Sequence, residues 1–142
     1  MKTNSNARIY VKGVNLELNK IDYKAHPKVK KQVQIEATQN INLTDVSNNK
    51  IVFMVERIIG FEPQSLFYLC IQVKVDLYIT EDTLLNFEND LLKLEKYAKE
   101  KANILIAQSG VGNCLSLLIA QISSFGGGLP IVTPPDLKES KE

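Results

Sequence analysis

Few residues of this chain have the types and spacing that catalysis needs. Its one histidine, His26, stands before Pro27 in a polar stretch, and both cysteines, Cys70 and Cys114, stand far from it in apolar segments. A catalytic Cys–His pair needs a thiol that the histidine activates, whereas cysteines in apolar segments are typical packing residues. The sequence therefore predicts a protein that is not an enzyme. A Cys–His pair assembled by the fold is kept as the enzyme alternative.

Cofactor and metal sites are not predicted either. The triple glycine Gly126–Gly128 follows an apolar segment and is not followed by the Lys-Ser/Thr of a phosphate loop, so we expect it to end a helix. Four acidic residues have helical spacing and no histidine beside them, which favours interaction with a helix dipole over metal binding; they are Glu81, Asp82, Glu88 and Asp90.

Composition narrows the class of protein. The chain has 142 residues and a net charge of +1, which predicts one domain over residues 1–142, with residues 1–7 and 138–142 as flexible tails. A balanced charge argues against nucleic acid as a partner. The start is polar and no apolar run reaches the ~20 residues of a membrane span, so we expect no membrane insertion. Two cysteines without a disulfide pattern fit the cytoplasm.

The pattern of apolar residues predicts four strands. The first, Arg8–Leu18, changes parity at Gly13, which predicts a bulge there and side chains in two different hydrophobic environments. Alternation also predicts Val33–Thr44 and Leu66–Ile79, and a near-continuous apolar run that contains Glu56 and Arg57 predicts Ile51–Phe61. Short turns between them favour pairing of neighbours in sequence, so we expect a four-stranded antiparallel meander.

A helical period follows the strands. Thr80 or Asp82 is expected to cap a helix with the apolar stripe Leu84, Phe87, Leu91, Leu94 and Ala98. Gly110 and Gly112 predict a break, after which a helix from Cys114 to Phe125 is apolar nearly all round and must be buried on more than one side. The predicted fold class is α+β: a four-stranded antiparallel sheet followed by a long, kinked or broken helical region packed on it.

Four segments together resemble the SecB protein-export chaperone family. The opening segment from Arg8 to Glu17 is similar to the family's first strand, R-I-Y-x-K-D-I-S-F-E, and Val33–Thr38 to its second. Phe67–Gln72 resembles its A-F-L-C-E-V segment, and Ser124–Pro135 resembles its glycine-rich, proline-rich finish after a long helix. The resemblance covers residues from about 8 to 137.

The resemblance implies an ATP-independent holdase that needs no cofactor. It implies a homotetramer built as a dimer of dimers, which binds unfolded polypeptides or preproteins in apolar grooves between strand and helix surfaces and passes them to the SecA motor. The client-binding residues so implied are Val33, Ile35, Ala37, Ile41, Leu43, Leu118, Ile122 and Phe125. The strand residues among them have an ordinary alternative, the core face of a sheet. The implied oligomer interface comprises Cys70, Gln72, Lys74, Leu115 and Ile119.

The motor-binding face of the family matches this chain only in part. Glu17 and Leu69 match it, but Gly13 stands where the family has aspartate and Ile71 where it has glutamate. Fewer acidic positions favour the alternative function: a chaperone or adaptor dedicated to one partner, such as an antitoxin, and not coupled to SecA.

Overall fold

The computed structural model describes residues 8–125 and 131–134. The described part of the chain forms a four-stranded antiparallel sheet followed by helices, which confirms the predicted α+β class. The strands are β1 (Val11–Ala25), β2 (Gln34–Val46), β3 (Lys50–Glu62) and β4 (Phe67–Ile79). The helices are α1 (Glu81–Asn86), α2 (Leu91–Glu100), α3 (Ala102–Ser109) and α4 (Val111–Phe125). Both predicted tails, residues 1–7 and 138–142, lie outside the described residues.

The strand order is β1-β4-β3-β2, so the predicted meander is wrong for the first strand. β2, β3 and β4 follow one another as hairpins, but β1 pairs with β4 at the far edge. The connection over residues 26–33 runs past the β3–β4 turn, where His26 donates its backbone N–H to Leu66 O and Val29 donates its own to Ser65 Oγ. These hydrogen bonds hold the connection between β1 and β2 against the β3–β4 turn. Three strands joined as hairpins, with the remaining strand paired beside the last of them, form a Greek key.

Two bulges keep the apolar side of β1 on one face. The pairing with β4 shifts between Val11 and Gly13, which confirms the bulge predicted at Gly13, and again between Leu18 and Lys20. Residues directly opposite in an antiparallel pair point to the same face. The apolar residues of β1 before, between and after the bulges all lie opposite core residues of β4. The expected division into two hydrophobic environments is therefore wrong: each bulge restores the face instead of changing it.

The core lies between the sheet and the helices. α2 and α3 contact β2, and α4 contacts β4. The odd-numbered residues of β3 and β4 supply most of the buried side chains, and α4 adds Leu115 and Ile119 with no exposed surface. Arg57 stands in the middle of this apolar row of β3 and is also fully buried.

The helical region is more broken than its apolar stripe predicts. Thr80 caps α1 as expected, accepting from the Thr83 N–H at 3.3 Å. The stripe does not continue into one helix, because Glu88 and Asn89 have φ of 59° and 56° and Asp90 caps a new helix by accepting from the Leu92 N–H at 3.0 Å. Gly110 has a φ of 86°, which confirms the break predicted there.

α4 begins at Val111, three residues before the predicted Cys114. In the described residues, no single helix has the length and apolar character to cross a membrane. Among the described helices, α3 and α4 reach that length and apolar character only when they are taken together, and the chain bends by 64° between them.

Candidate functional site

The apolar face of the sheet is wider than the helices that cover it. Val14, Leu18, Ile21 and Tyr23 of β1 are 43%, 51%, 43% and 38% exposed. Their partners on β4 are Leu77, Val73, Ile71 and Leu69, all core residues at 2% exposure or less. We call these four β1 residues the β1 margin. It is an exposed apolar row continuous with the core, along an edge strand.

Sequence analysis did not assign the β1 margin to the client site. The signal was present in the alternation of Val14, Leu16 and Leu18 after Gly13. What the sequence did not show is that β1 continues to Ala25 and lies at the sheet edge beside β4. Both facts depend on pairing between strands more than forty residues apart, which local periodicity does not contain.

The predicted client strand β2 forms the other edge of the sheet. Ile35 is 50% exposed, whereas Ala37, Ile41 and Leu43 are partly buried against the core. Val33 precedes β2 and is half-buried. Ala37, Ile41 and Leu43 therefore belong in part to the core, while Ile35 is exposed enough to contact another polypeptide.

The predicted residues of α4 differ in the same way. Leu118 and Ile122 are partly buried against the core, whereas Phe125 is 88% exposed. At 100° per residue, Leu118 and Phe125 share one flank of the helix, and Ser116 and Ser123 share the opposite flank. The two flanks therefore offer different chemistry: one is apolar, the other carries hydroxyl groups.

A buried polar cluster around Arg57 was missed by sequence reasoning. Gln39 Oε1 on β2 accepts from Arg57 Nε at 3.0 Å and from Nη2 at 2.6 Å. Arg57 Nη1 donates to Ser116 Oγ on α4 at 3.0 Å and to Thr133 Oγ1 at 3.1 Å. The only sequence signal was a charged residue on the apolar parity of β3, because the partners come from distant parts of the chain.

The segment Ile131–Pro134, which we call the strap, lies against this cluster. Pro134 O accepts from Arg57 Nη1 at 3.1 Å, and the Ile131 N–H donates to Ser123 Oγ at 2.7 Å. The strap therefore contacts the hydroxyl flank of α4 at two points about two helical turns apart, at Ser123 and at Ser116.

The structure does not bring the two predicted motor-binding residues together. Glu17 lies opposite Lys74 and Leu69 lies opposite Tyr23, so their side chains point to opposite faces of the sheet. Glu17 is exposed, with its carboxylate 3.9 Å from Lys74 Nζ, while Leu69 is 0% exposed in the core. One partner surface cannot include both side chains in this arrangement.

The predicted interface residues are also divided. Cys70, Gln72 and Lys74 lie on the face of the sheet away from the helices, where Gln72 Oε1 accepts from Asn19 and Lys74 lies near Glu17 and Asp76. Leu115 and Ile119 have no exposed surface within the subunit. An interface on α4 would instead use Leu117, which is 65% exposed.

Cys70 and His26 lie in unrelated surroundings. Burial first, and then the hydrogen bond from Cys70 Sγ to Glu56 Oε2 at 3.4 Å, raise the pKa of the Cys70 thiol to about 11. His26 Nε2 lies 3.0 Å from Gln64 Nε2, on the loop between β3 and β4. Among the described residues, no group of three or more His, Cys, Asp or Glu side chains is arranged to hold a metal ion.

Sequence comparison finds no relative: no protein-family model matches the chain, and no curated protein matches it. Solved structures similar to it include the SecB-like chaperone Rv1957 of Mycobacterium tuberculosis, in complex with a ChAD peptide from the HigA1 antitoxin Rv1956. The TM-score is 0.59 at 11% sequence identity, over 96% of this chain and 94% of that one. This chain has a SecB-like fold.

Proposed function

We propose that this protein is an ATP-independent chaperone that binds unfolded polypeptides in the cytoplasm through the exposed margins of its apolar sheet face. The observation that supports it is the β1 margin, four large side chains exposed along a strand whose partners are core residues. Burying such surface against a client stabilises the complex by about 25 cal/mol per Å² of apolar area. No nucleotide is needed for this step, because the attraction is the hydrophobic effect itself.

The edge position of β1 adds a second binding mode. Within residues 8–125 and 131–134, β1 pairs with β4 on one side only, and the unpaired side of an edge strand offers backbone groups to an added strand. An extended client could pair its backbone there while its alternate side chains meet the β1 margin. Backbone pairing is the same for every sequence, so this mode favours many clients over one.

A second candidate is a chaperone dedicated to one partner, and two observations favour it. The structural neighbour Rv1957 is in complex with an antitoxin peptide. In addition, the residues that match the SecA-binding pattern do not form one surface, since Leu69 is buried on the face opposite Glu17. Coupling to SecA and a role in export are therefore not part of the proposal.

Suppression of aggregation separates the two candidates. A general holdase should keep several unrelated, chemically unfolding proteins soluble without ATP at roughly stoichiometric amounts. A dedicated chaperone should protect one co-purifying partner and few others. Failure to protect any of several clients would reject the general holdase, and a pull-down with SecA is expected to show no binding.

Assembly into a homotetramer belongs to the same proposal. Leu117 of α4 is 65% exposed and is not part of the β1 margin, so a second subunit can cover it and leave the margin to clients. We expect sedimentation at micromolar concentration to show an oligomer. A stable monomer would contradict the proposed assembly.

A further inference from the structure

The strap has the burial pattern of a bound extended peptide. Ile131 is partly buried and packs against the core, Val132 is 80% exposed, Thr133 is 4% exposed, and Pro134 is exposed. Alternation of inward and outward side chains is typical of an extended segment on an apolar surface. Among the four described strap residues, Ile131 and Thr133 are the ones whose side chains point inward.

Most of its polar contacts involve groups that any polypeptide offers. Ser123 Oγ accepts the backbone N–H of Ile131, and Pro134 accepts through its backbone carbonyl from Arg57 and from Ser116. Only the Thr133 hydroxyl is specific to a side chain of the strap. A site that recognises backbone groups accepts many sequences.

The receiving groups are held in place independently of the strap. Gln39 accepts two hydrogen bonds from Arg57, which keeps the guanidinium directed at the strap position. Ser123 Oγ also donates to Ala120 O within α4 at 3.2 Å, which orients its acceptor. Donors and acceptors fixed in advance cost little to reuse when one peptide replaces another.

We infer that Arg57, Ser116 and Ser123 form a subsite for extended polypeptide, which the chain's own strap fills and an unfolded client takes over. The inference rests on the proposed function and adds a mechanism to it: the strap is an internal competitor that keeps buried polar groups paired while no client is bound. When the strap leaves, Arg57 Nη1 loses its hydrogen bonds to Thr133 and Pro134 and Ser123 Oγ loses the Ile131 N–H, so the strap leaves most readily when a client replaces these bonds. Short or weakly extended peptides are thereby excluded.

Amide hydrogen exchange in the full-length protein tests the displacement directly. The probe is a reduced and carboxymethylated, permanently unfolded protein labelled with fluorescein. A proteolytic fragment spanning the strap carries the amides of Ile131, Val132 and Thr133, since Pro134 has none. We expect these amides to exchange faster with the probe bound, because the Ile131 N–H loses its acceptor.

A matched pair of strap variants tests the same step by affinity. Thr133→Val removes the strap hydroxyl that accepts from Arg57, and it leaves Arg57, Ser116 and Ser123 unchanged for the client. Val132→Ala shortens the neighbouring strap residue, whose side chain is 80% exposed. Weakening the internal competitor should tighten probe binding about three- to tenfold in Thr133→Val. Val132→Ala should bind as the wild type does.

The outcomes separate this inference from the proposed function. Faster strap exchange on probe binding together with tighter binding by Thr133→Val supports it. If the probe binds while strap exchange is unchanged or slower, or if the two strap variants bind equally, the inference is overturned and the chaperone proposal stands. If the probe binds no form of the protein, both fail together.

Discussion

Leu18 on β1 lies directly opposite Val73 on β4, yet Leu18 is 51% exposed and Val73 is 2% exposed. The two side chains belong to one apolar face, and the difference arises because the helices contact the sheet mainly at β2 and β4 and leave the β1 margin exposed. A sheet that extends its hydrophobic face past its helical layer has a surface free for another chain.

Leu18→Ser should weaken binding of an unfolded client about tenfold, because it removes a half-exposed leucine that a client would cover. Fluorescence anisotropy with the unfolded probe measures the change. Leu92→Ser is the matched control, since Leu92 is 76% exposed on α2, which packs at the other edge of the sheet. Binding by Leu18→Ser as tight as that of the wild type would show that the β1 margin is not a client surface. Sedimentation of Leu18→Ser must accompany the measurement, because loss of an oligomer would also change affinity.

Ile35→Asp tests the other margin. Ile35 lies on the core side of β2 and is 50% exposed, so a client covering it would have to bury the new carboxylate. We expect about tenfold weaker binding with the assembly unchanged. Gln34→Asp adds the same charge at the neighbouring exposed residue on the opposite face. If both variants bind like the wild type, β2 is not part of the site.

Arg57 should be far more important for stability than an exposed cation. Arg57→Met leaves Gln39 Oε1 buried without either of its donors from Arg57 and should lower the free energy of unfolding by about 3 kcal/mol. Adding Gln39→Leu should recover about 1 kcal/mol, because the unpaired acceptor is then gone. Denaturant unfolding measures both variants.

A surface variant gives the reference for these unfolding measurements. Lys99→Met breaks an exposed ion pair with Glu95 and should unfold like the wild type. A double variant that is no more stable than Arg57→Met alone would contradict the importance assigned to the pairing with Gln39.

Alternation predicted β2 and β4 well, and a near-continuous apolar run predicted β3, because these patterns reflect burial along each strand. Their pairing as hairpins followed from short turns. The place of β1 did not follow, because its pairing with β4 depends on a return path fixed by contacts of His26 and Val29 with the β3–β4 turn. Nothing in the periodicity of β1 distinguishes β2 from β4 as a partner.

The candidate site was predictable only at the level of faces. Ile35 and Leu43 have the same parity on β2, but one is exposed and the other packs against the core, since exposure depends on where the helices lie. The Arg57 cluster depends on residues 18 and 76 positions away. Such a cluster forms only when the whole chain has folded, so a single sequence marks it by nothing more than a charge in an apolar row.

The Cys70 thiol should react slowly with alkylating reagents in the folded protein. Its pKa is raised to about 11, first by burial and then by the hydrogen bond to Glu56, so little of the reactive thiolate is present at about pH 7.5. Alkylation of the native protein, followed by mass spectrometry, should label Cys70 slowly. The labelling rate should rise only at a pH well above the ordinary pKa of a thiol. Glu56→Gln should speed the labelling, because it removes the carboxylate that opposes the thiolate. Half-maximal labelling of native wild type near pH 9.0, the ordinary thiol value, would contradict this.

The same shift predicts how stability depends on pH. Between pH 9.0 and about 11 the unfolded chain releases the Cys70 proton while the folded chain keeps it. Because the folded state then binds more protons, the free energy of unfolding should fall as the pH rises through this window. Burial and then the charge of Cys70 raise the pKa of Tyr68, so wild type and Cys70→Ala are compared with Tyr68→Phe present in both, and the difference between their unfolding curves then isolates the thiol. The wild type should lose more stability than Cys70→Ala over this range, and parallel curves would mean that the thiol is not buried against Glu56 as the structure shows.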